Sequence, residues 1–387
     1  MQDTYQIPLF KVLMNPDLKD SVLETLMSGK ISQYGKVKEL EKKLGDFLKN
    51  DKVLTVNSGT SALHLAYHIL KKPDPDINWP GLQEGDEVLT TSLTCVATNW
   101  PILANNLKIK WVDIDPNNVN INMDDLRSKL SEKTKIISVV HWGGYPCDLT
   151  ELENIKNECL QKYGFKPYVL EDGAHSFGAK FNGKPLGNHG NLVMFSLQAI
   201  KHFTTIDGGL LILPNTKLYE RAKLIRFFGI DRERKNKQKD FRVEDDVVEW
   251  GYKFHMNDVN ATVGLGNLDL AIDKIKIHRD NAKYYFDNLQ NVKDLQLLEN
   301  KNDRVGSWWL FTMRVKRRSD FIEHMKKHSI MTSQVHGRND IHTCVQNFKC
   351  SLPLLDKYEE EIVCIPVGWW VTPDQRKFIV DKIKLGW

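Results

Sequence analysis

Three short segments of the chain combine reactive side chains with the end of an apolar run. The first is Ser58-Gly59-Thr60-Ser61, which stands between the strand-like run KVLTV and the helical pattern SALHLAYHIL. The glycine permits a tight turn, and the hydroxyls and the helix N-terminus offer hydrogen-bond donors to an anion such as phosphate. Because an ordinary helix cap has the same composition, this segment indicates an anion site only together with other features.

The second and third segments add a carboxylate and an amine. Asp172 belongs to EDGAH, which follows the apolar run YVL. A carboxylate at the end of a buried strand needs a partner, which a metal, an arginine, a protonated heterocycle or a structural donor can supply. Lys201 lies in FSLQAIKHFTTIDGG, where partial burial would lower its pKa and make the amine a nucleophile and a base. An ordinary surface lysine is the alternative.

The elements that must position these residues are strands that alternate with helices up to about residue 265. The strand-like runs are KVLTV, EVLTTS, IKWVDI, KIISVVHW, YVLED, LVMFS and GLLIL. Their alternation with helices predicts a mostly parallel sheet covered on both faces, with ligands at the carboxyl ends of its strands. We therefore expect five segments to meet at that edge of the sheet: 58–61, 94–98, 141–145, 172–175 and 196–201.

The pattern changes after about residue 265, where polar helical stretches precede the strand-like runs WWLFTMRV and IVCIPV. This change predicts two units. The first is a large α/β domain over residues 1–265, with a helical segment at its N-terminus, and the second is a smaller α+β lobe over residues 266–387. The charged stretch 231–246, DRERKNKQKDFRVEDD, is interpreted either as a solvated loop or as a mobile flap over the active site.

Composition and charge exclude several classes of protein. The 387 residues are 41% hydrophobic and 27% charged, which is typical of globular domains rather than of disordered, collagen-like or coiled-coil chains. A net charge of +4 is too small to indicate a nucleic-acid partner. The six cysteines form no Cys-x-x-Cys pair, which favours a reducing compartment, and we expect no metal site.

The longest uncharged stretch, residues 88–107, is long enough to span a bilayer. It contains a proline and several Thr, Ser and Asn residues, so it predicts a strand, a loop and a helix instead. The N-terminus has no signal-peptide pattern. We therefore expect a soluble, cytoplasmic protein without a nucleic-acid or membrane partner.

Taken together, the three segments resemble the DegT/DnrJ/EryC1/StrS family of pyridoxal-phosphate-dependent nucleotide-sugar aminotransferases. The resemblance extends over nearly the whole chain. It is carried by YGKVKELE, NSGTSALHLA, VHWGGYPCDL, EDGAHSFGA, FSLQAIKHFTTIDGGLL, GYKFHMNDVNATVGL and EEEIVCIPV. It implies an α/β fold like that of aspartate aminotransferase, fold type I of the pyridoxal-phosphate enzymes, with a mostly parallel sheet in the large domain and a smaller C-terminal α+β lobe.

The resemblance also assigns roles to the matching residues. Lys201 would be catalytic and would hold pyridoxal 5'-phosphate as a Schiff base. Asp172, also catalytic, would keep the pyridine nitrogen protonated, so that the ring accepts electrons. His175 would bond the phenolic oxygen of the ring. The other residues implied are Gly59, Thr60 and Ser196 at the cofactor phosphate, Cys95, Gln198 and Lys253 as further cofactor-binding residues, and His255, Asn257 and Arg338 at the substrate.

Three of these residues depart from the family's pattern. Cys95 stands where an aromatic residue commonly stacks on the cofactor ring. Lys253 replaces an asparagine that reaches the phosphate from the partner subunit, and His255 replaces a usual arginine. Lys201, by contrast, matches the family's lysine and not the histidine of its dehydratase branch, so a sugar dehydratase is disfavoured.

The activity that the resemblance implies is transfer of an amino group from L-glutamate to a nucleotide-linked keto-sugar, by a homodimer with shared active sites. In the first half, 2-oxoglutarate leaves and pyridoxamine 5'-phosphate remains. In the second, the sugar receives the amine. A 4-keto-6-deoxyhexose on GDP, UDP or dTDP is the usual substrate type, in the biosynthesis of amino sugars for O-antigens and other polysaccharides. Two alternatives stay open: an aminotransferase for a small phosphorylated ketone, and a cofactor-binding scaffold without turnover.

Overall fold

The computed structural model describes residues 5–232 and 246–387. The charged stretch 231–246, with its two interpretations as a loop and as a flap, lies almost entirely outside the described residues. The helices are α1 Leu18–Met27, α2 Gly35–Leu48, α3 Gly59–Ile69, α4 Val96–Ala104, α5 Met123–Ser128, α6 Leu149–Tyr163, α7 Thr216–Ile225, α8 Asp258–Asn288, α9 Arg318–Lys327, α10 Pro353–Tyr358 and α11 Pro373–Lys384. In the described part of the chain, no helix has both the length and the apolar composition needed to cross a membrane.

The strands form one large sheet and two small ones. In chain order they are β1 Val53–Val56, β2 Glu87–Thr91, β3 Lys108–Val112, β4 Thr134–Val140, β5 Tyr168–Asp172, β6 Lys180–Phe181, β7 Lys184–Pro185, β8 Leu192–Ser196, β9 Gly209–Ile212, β10 Leu295–Leu297, β11 Arg304–Val305, β12 Phe311–Val315 and β13 Ile362–Ile365. The large sheet has the order β1-β9-β8-β5-β4-β2-β3. Only β9 runs against the others, since it pairs antiparallel with both β1 and β8. This confirms the predicted, mostly parallel sheet.

Both faces of the large sheet are covered, which explains why its strands are apolar at almost every position. In β8, Leu192 and Met194 belong to the buried cluster on one face, and Val193 and Phe195 belong to the cluster on the other. A strand buried on both faces reads as a continuous apolar run, as LVMFS does. The polar residues that follow the parallel strands are thereby brought to one edge of the sheet.

The C-terminal part of the chain forms a smaller lobe around the antiparallel sheet β10-β12-β13. The lobe has an apolar cluster of its own, which includes Phe311 and Phe321. The beginning of the chain joins this lobe, because the Ile7 N–H donates to the Ser329 carbonyl at 3.1 Å and the Ile7 carbonyl accepts from the Met331 N–H at 3.0 Å. The smaller lobe therefore contains residues from both ends of the sequence.

Helix α8 connects the sheet domain with the smaller lobe. It runs from Asp258 to Asn288, so the boundary predicted after residue 265 lies inside a helix. The Asp258 carboxylate also fixes the start of α2, since it accepts the backbone N–H groups of Tyr34, Lys36 and Val37 at 2.8, 3.1 and 3.2 Å. The division of the chain into residues 1–265 and 266–387 stays a prediction.

Candidate active site

The Lys201 amine lies in the connection between β8 and β9, at the edge where the parallel strands end. The residue is half-buried, and its Nζ lies 3.7 Å from the centroid of the Trp309 indole. Burial of the amine lowers the pKa of Lys201 to about 8, although the nearby Asp172 and Cys95 oppose that lowering. Nζ has no hydrogen-bond partner among the described residues. Such an amine is available as a nucleophile and as a base near neutral pH.

The carboxylate of Asp172, the last residue of β5, faces the same region. The Thr98 hydroxyl donates to its Oδ2 at 2.7 Å, and the Ala174 N–H donates to its Oδ1 at 3.0 Å. Burial raises the pKa of Asp172, whereas these two hydrogen bonds and the nearby Lys201 oppose the rise. A carboxylate offers about four lone pairs, so two donors leave room for a further, cationic partner such as a protonated heterocycle.

The neighbouring Glu171 belongs to a separate, buried network. Its carboxylate bonds His141 Nε2 at 2.8 Å and accepts from Asn191 Nδ2 at 2.7 Å. The Cys147 N–H donates to His141 Nδ1 at 3.0 Å, which leaves the imidazole proton on Nε2 for Glu171. The backbone N–H of His141 donates to the backbone carbonyl of Asp172 at 3.1 Å. These buried hydrogen bonds hold the end of β5, and therefore Asp172, in position.

The His175 imidazole has a defined tautomer. Its Nδ1 accepts the Gly143 N–H at 3.3 Å, so the proton of the neutral ring is on Nε2. Burial lowers the pKa of His175 well below its usual range, and the nearby Lys201 and His336 add to this lowering. The ring is therefore neutral, and its Nε2–H can donate to an oxygen such as the phenolic oxygen of the expected cofactor.

Gly59 brings the N-terminus of α3 against the end of β8. A Cβ at this position would lie 3.0 Å from Met194 Sδ and 3.3 Å from Ser196 Cβ, which is tighter than ordinary contact, so glycine suits this close approach. Ser58 caps the helix by accepting the Ser61 N–H at 3.0 Å, and the Gly59 and Thr60 N–H groups have no acceptor among the described residues. These free donors and the Ser196 hydroxyl form a cradle that fits a phosphate. Together with the amine and the carboxylate, this cradle fits pyridoxal 5'-phosphate.

The remaining residues assigned to the cofactor lie around this cradle with more exposure. Gln198 is exposed, and its Oε1 accepts the Ile200 N–H at 3.1 Å. Cys95 is half-buried immediately before α4 and lies close enough to Lys201 to influence the pKa of the lysine. The Lys253 side chain is exposed, and the backbone carbonyl of Lys253 accepts from Asn57 Nδ2 at 3.3 Å. Their contacts with the cofactor stay predictions.

The three residues assigned to the substrate have other partners in this chain. Asn257 caps α8 by accepting the Asn260 N–H at 2.9 Å. The half-buried His255 packs edge-on against Phe227, and burial lowers its pKa to about 4, so it is neutral at pH 7. The guanidinium of Arg338 pairs with three carboxylates, those of Asp340, Asp356 and Glu359. Substrate binding by these three residues stays a prediction.

Three residues near the site were not assigned a role from the sequence. Thr98 lies in segment 94–98, which was expected at this edge, but the pattern did not single out its hydroxyl. Trp309 and His336 come from the smaller lobe, and their rings lie 4.1 and 5.4 Å from the His175 ring, measured between centroids. No local signal in the sequence indicates these two contacts, because they join segments more than a hundred residues apart.

Comparisons with known proteins agree with this arrangement. The model of the DegT/DnrJ/EryC1/StrS aminotransferase family matches residues 13–384. Among solved structures, AtS13 from Actinomadura melliaura is 44% identical, with a TM-score of 0.93 and 99% of both chains covered. Sugar aminotransferase CalS13 from Micromonospora echinospora is 40% identical, with a TM-score of 0.93 over 99% of this chain and 100% of its own. GDP-perosamine synthase from Escherichia coli O157:H7 is 28% identical over 94% of this chain and 91% of its own.

The family match covers nearly the whole chain and includes every residue of the candidate site. The expectations for the fold and for the cofactor are confirmed: the protein has fold type I, and its cofactor is pyridoxal 5'-phosphate. The chain belongs to the DegT/DnrJ/EryC1/StrS aminotransferase family and is a pyridoxal-phosphate-dependent aminotransferase.

Proposed function

We propose that this aminotransferase moves the amino group of L-glutamate to a nucleotide-linked keto-sugar, a 4-keto-6-deoxyhexose in particular. The observation that carries the proposal is the half-buried Lys201 amine, without a hydrogen-bond partner among the described residues, beside the Asp172 carboxylate and the α3 N-terminus. The names of two relatives support the acceptor class, since one is a sugar aminotransferase and the other a GDP-perosamine synthase. The product would be an amino sugar for polysaccharide synthesis, as in O-antigens.

Each side chain of the site has a part in this reaction. The bound cofactor supplies an electron sink for the carbanion that forms at the amino-acid carbon. Lys201 Nζ would hold the cofactor, and the same amine would serve as the base that moves a proton at the amino-acid carbon. Asp172 would hold a proton on the pyridine nitrogen by its negative charge, and His175 Nε2–H would donate to the phenolic oxygen. The cradle at Gly59 and Ser196 binds the phosphate.

A substrate panel tests the proposal. Purified protein is given L-glutamate with 4-keto-6-deoxyhexoses on GDP, UDP and dTDP, and with a small phosphorylated ketone such as dihydroxyacetone phosphate. We expect kcat/KM for one nucleotide keto-sugar to exceed that for the phosphorylated ketone by roughly 100-fold or more, because a site built to bond the nucleotide rejects a ligand without it. The opposite ranking would favour the phosphorylated-ketone reaction, and D-glutamate is the control donor.

We also propose a homodimer in which the segment 251–260 completes the partner's active site. The Asn57 N–H donates to the Phe254 carbonyl at 2.7 Å, which holds this segment at the end of β1. The exposed ammonium of Lys253 is therefore presented at the surface, whereas the neutral His255 adds no positive charge. A lysine in that position suits the phosphate groups of a cofactor or of a nucleotide.

Mixed dimers test the shared site. Chains with Lys201→Ala are co-expressed with chains that carry Lys253→Ala and His255→Ala, and each of the two homodimers is expected to be inactive. Random pairing makes about half of the dimers mixed, and each of these has one intact site if the sites are shared, so about a quarter of wild-type activity should return. Activity that stays at the level of the two homodimers would show that each chain builds its own site.

The cytoplasm is the proposed location. All six cysteines are free thiols, as expected in a reducing compartment. Fractionation of cells that express the tagged chain checks this location, and recovery in the membrane fraction would contradict it.

A further inference from the structure

The Trp309 indole contacts two of the side chains assigned to the site, Lys201 and His175. Its ring centroid lies 3.7 Å from Lys201 Nζ. The same ring stacks on the His175 imidazole, with 4.1 Å between centroids and 22° between planes. Trp309 lies two residues before β12 of the smaller lobe, and its side chain packs in the apolar cluster on one face of the large sheet, so the C-terminal part of the chain contributes to the surroundings of the catalytic amine.

The indole is fixed in place by neighbours on both sides of the cleft. Its Nε1–H donates at 2.9 Å to the carbonyl of Ile200, the residue before Lys201. The next residue in the chain, Leu310, donates its N–H to the Gly143 carbonyl at 3.1 Å. The Phe10 ring stacks on the indole at 4.8 Å. The position of the indole is therefore set relative to the Lys201 loop itself.

The backbone that presents these rings is strained. Trp308, directly before Trp309, has a φ of 53°, and Val335, directly before His336, has a φ of 71°. Bulky and β-branched residues rarely adopt this left-handed region, and such strain persists only where surrounding contacts enforce it. The strain supports a functional reason for the placement of the indole.

We propose that Trp309 is a positioning residue for Lys201. The indole of Trp309 keeps the Lys201 amine beside His175 and shields that amine from water. The inference rests on the assignment of Lys201 in the proposed function. Two effects of the ring oppose each other, because the ring face attracts a protonated amine while burial beneath it favours the neutral amine. Burial is the largest influence on the pKa of Lys201 and lowers it to about 8, so we expect the shielding by the indole to outweigh the attraction of its ring face.

The test is competitive labelling of lysines in the full-length protein freed of its cofactor. Trace acetic anhydride is added over a range of pH, and peptide mapping gives the pH at which Lys201 is half-labelled. We expect a midpoint near pH 8 for the wild type. For Trp309→Ala we expect a midpoint about one unit higher or more, because water then solvates the protonated amine, which makes labelling at pH 7 about tenfold slower.

Two further variants separate shielding from general loss of structure. Trp309→Phe keeps a flat apolar ring over the amine without the N–H group. The Lys201 labelling midpoint of this variant should stay close to that of the wild type. Trp79→Phe is the matched control, since the buried Trp79 also donates its Nε1–H to a backbone carbonyl, that of Leu70, at 2.9 Å, and it should leave the Lys201 midpoint unchanged.

The inference can fail independently of the proposed function. If Trp309→Ala does not fold, as judged by circular dichroism, Trp309→Leu takes its place, because a branched side chain leaves gaps for water where the flat ring leaves none. A wild-type midpoint in the folded variant would overturn the positioning role. Attachment of the cofactor to another lysine would instead overturn the assignment of Lys201, while the midpoint would still report on the indole.

Discussion

Replacement of Lys201 by alanine is expected to abolish amino transfer, with a loss of at least roughly 10²- to 10⁴-fold from proton transfer alone. The amine is well suited to its role. With a pKa of about 8, roughly a tenth of the molecules carry a neutral amine at pH 7, against roughly 0.03% for an ordinary lysine. Stopped-flow measurement of cofactor bleaching with glutamate gives the rate.

The site of covalent attachment is checked separately. Reduction of the wild-type protein with borohydride, followed by peptide mapping, should place the cofactor on Lys201. The exposed Lys349 provides a control, since Lys349→Ala should leave rate and attachment unchanged. A cofactor adduct on any other lysine would contradict the assignment. Lys201→Ala should still retain cofactor without a covalent bond, because the phosphate cradle does not depend on the amine.

Replacement of Asp172 by asparagine is the second change with a large expected effect. Asparagine has nearly the same shape but no negative charge, so the pyridine nitrogen would lose the charge that keeps it protonated. We expect the first half-reaction with glutamate to slow by orders of magnitude, on the order of 10²-fold or more, since carbanion stabilisation depends on that proton. Phosphate binding should change much less.

Glu171→Gln is the matched control for Asp172→Asn. It removes a charge from an adjacent buried carboxylate whose partners are His141 and Asn191 rather than the site. The folded Glu171→Gln protein should keep most of the half-reaction rate. A near-normal rate for Asp172→Asn in the same assay would show that the Asp172 carboxylate is structural.

Most of the fold followed from local patterns. Helix α6 is an example, because Asp148 is a typical N-cap residue that caps its start and Gly164, in the left-handed conformation, ends it. Helix α8 begins at Asp258, before the change of pattern near residue 265, and the sequence pattern misses its first turns because Gly264 and Gly266 interrupt them. Gly264 is needed there, since a Cβ would lie 2.9 Å from a Leu40 methyl on α2. Close helix packing overrode local propensity.

The candidate site could be predicted only in part. Residues at or shortly after the ends of parallel strands, such as Asp172 and Lys201, could be expected to meet because the sheet brings strand ends together. The contact between Trp309 and Lys201 could not be expected from the sequence, since it depends on how the C-terminal part of the chain packs against the large sheet. The partners of Arg338 show the same limit, because residue spacing does not reveal that three carboxylates already surround its guanidinium.

The pairing of Ile7 with Ser329 and Met331 has a consequence for synthesis on the ribosome. The backbone groups of Ile7 have no hydrogen-bond partner until more than three hundred further residues have been made. At about 5–20 residues per second, that delay is roughly 15–65 s. Phe10 meets Trp309 only in the same late step, so the surroundings of the catalytic amine are completed after the large sheet has had time to form.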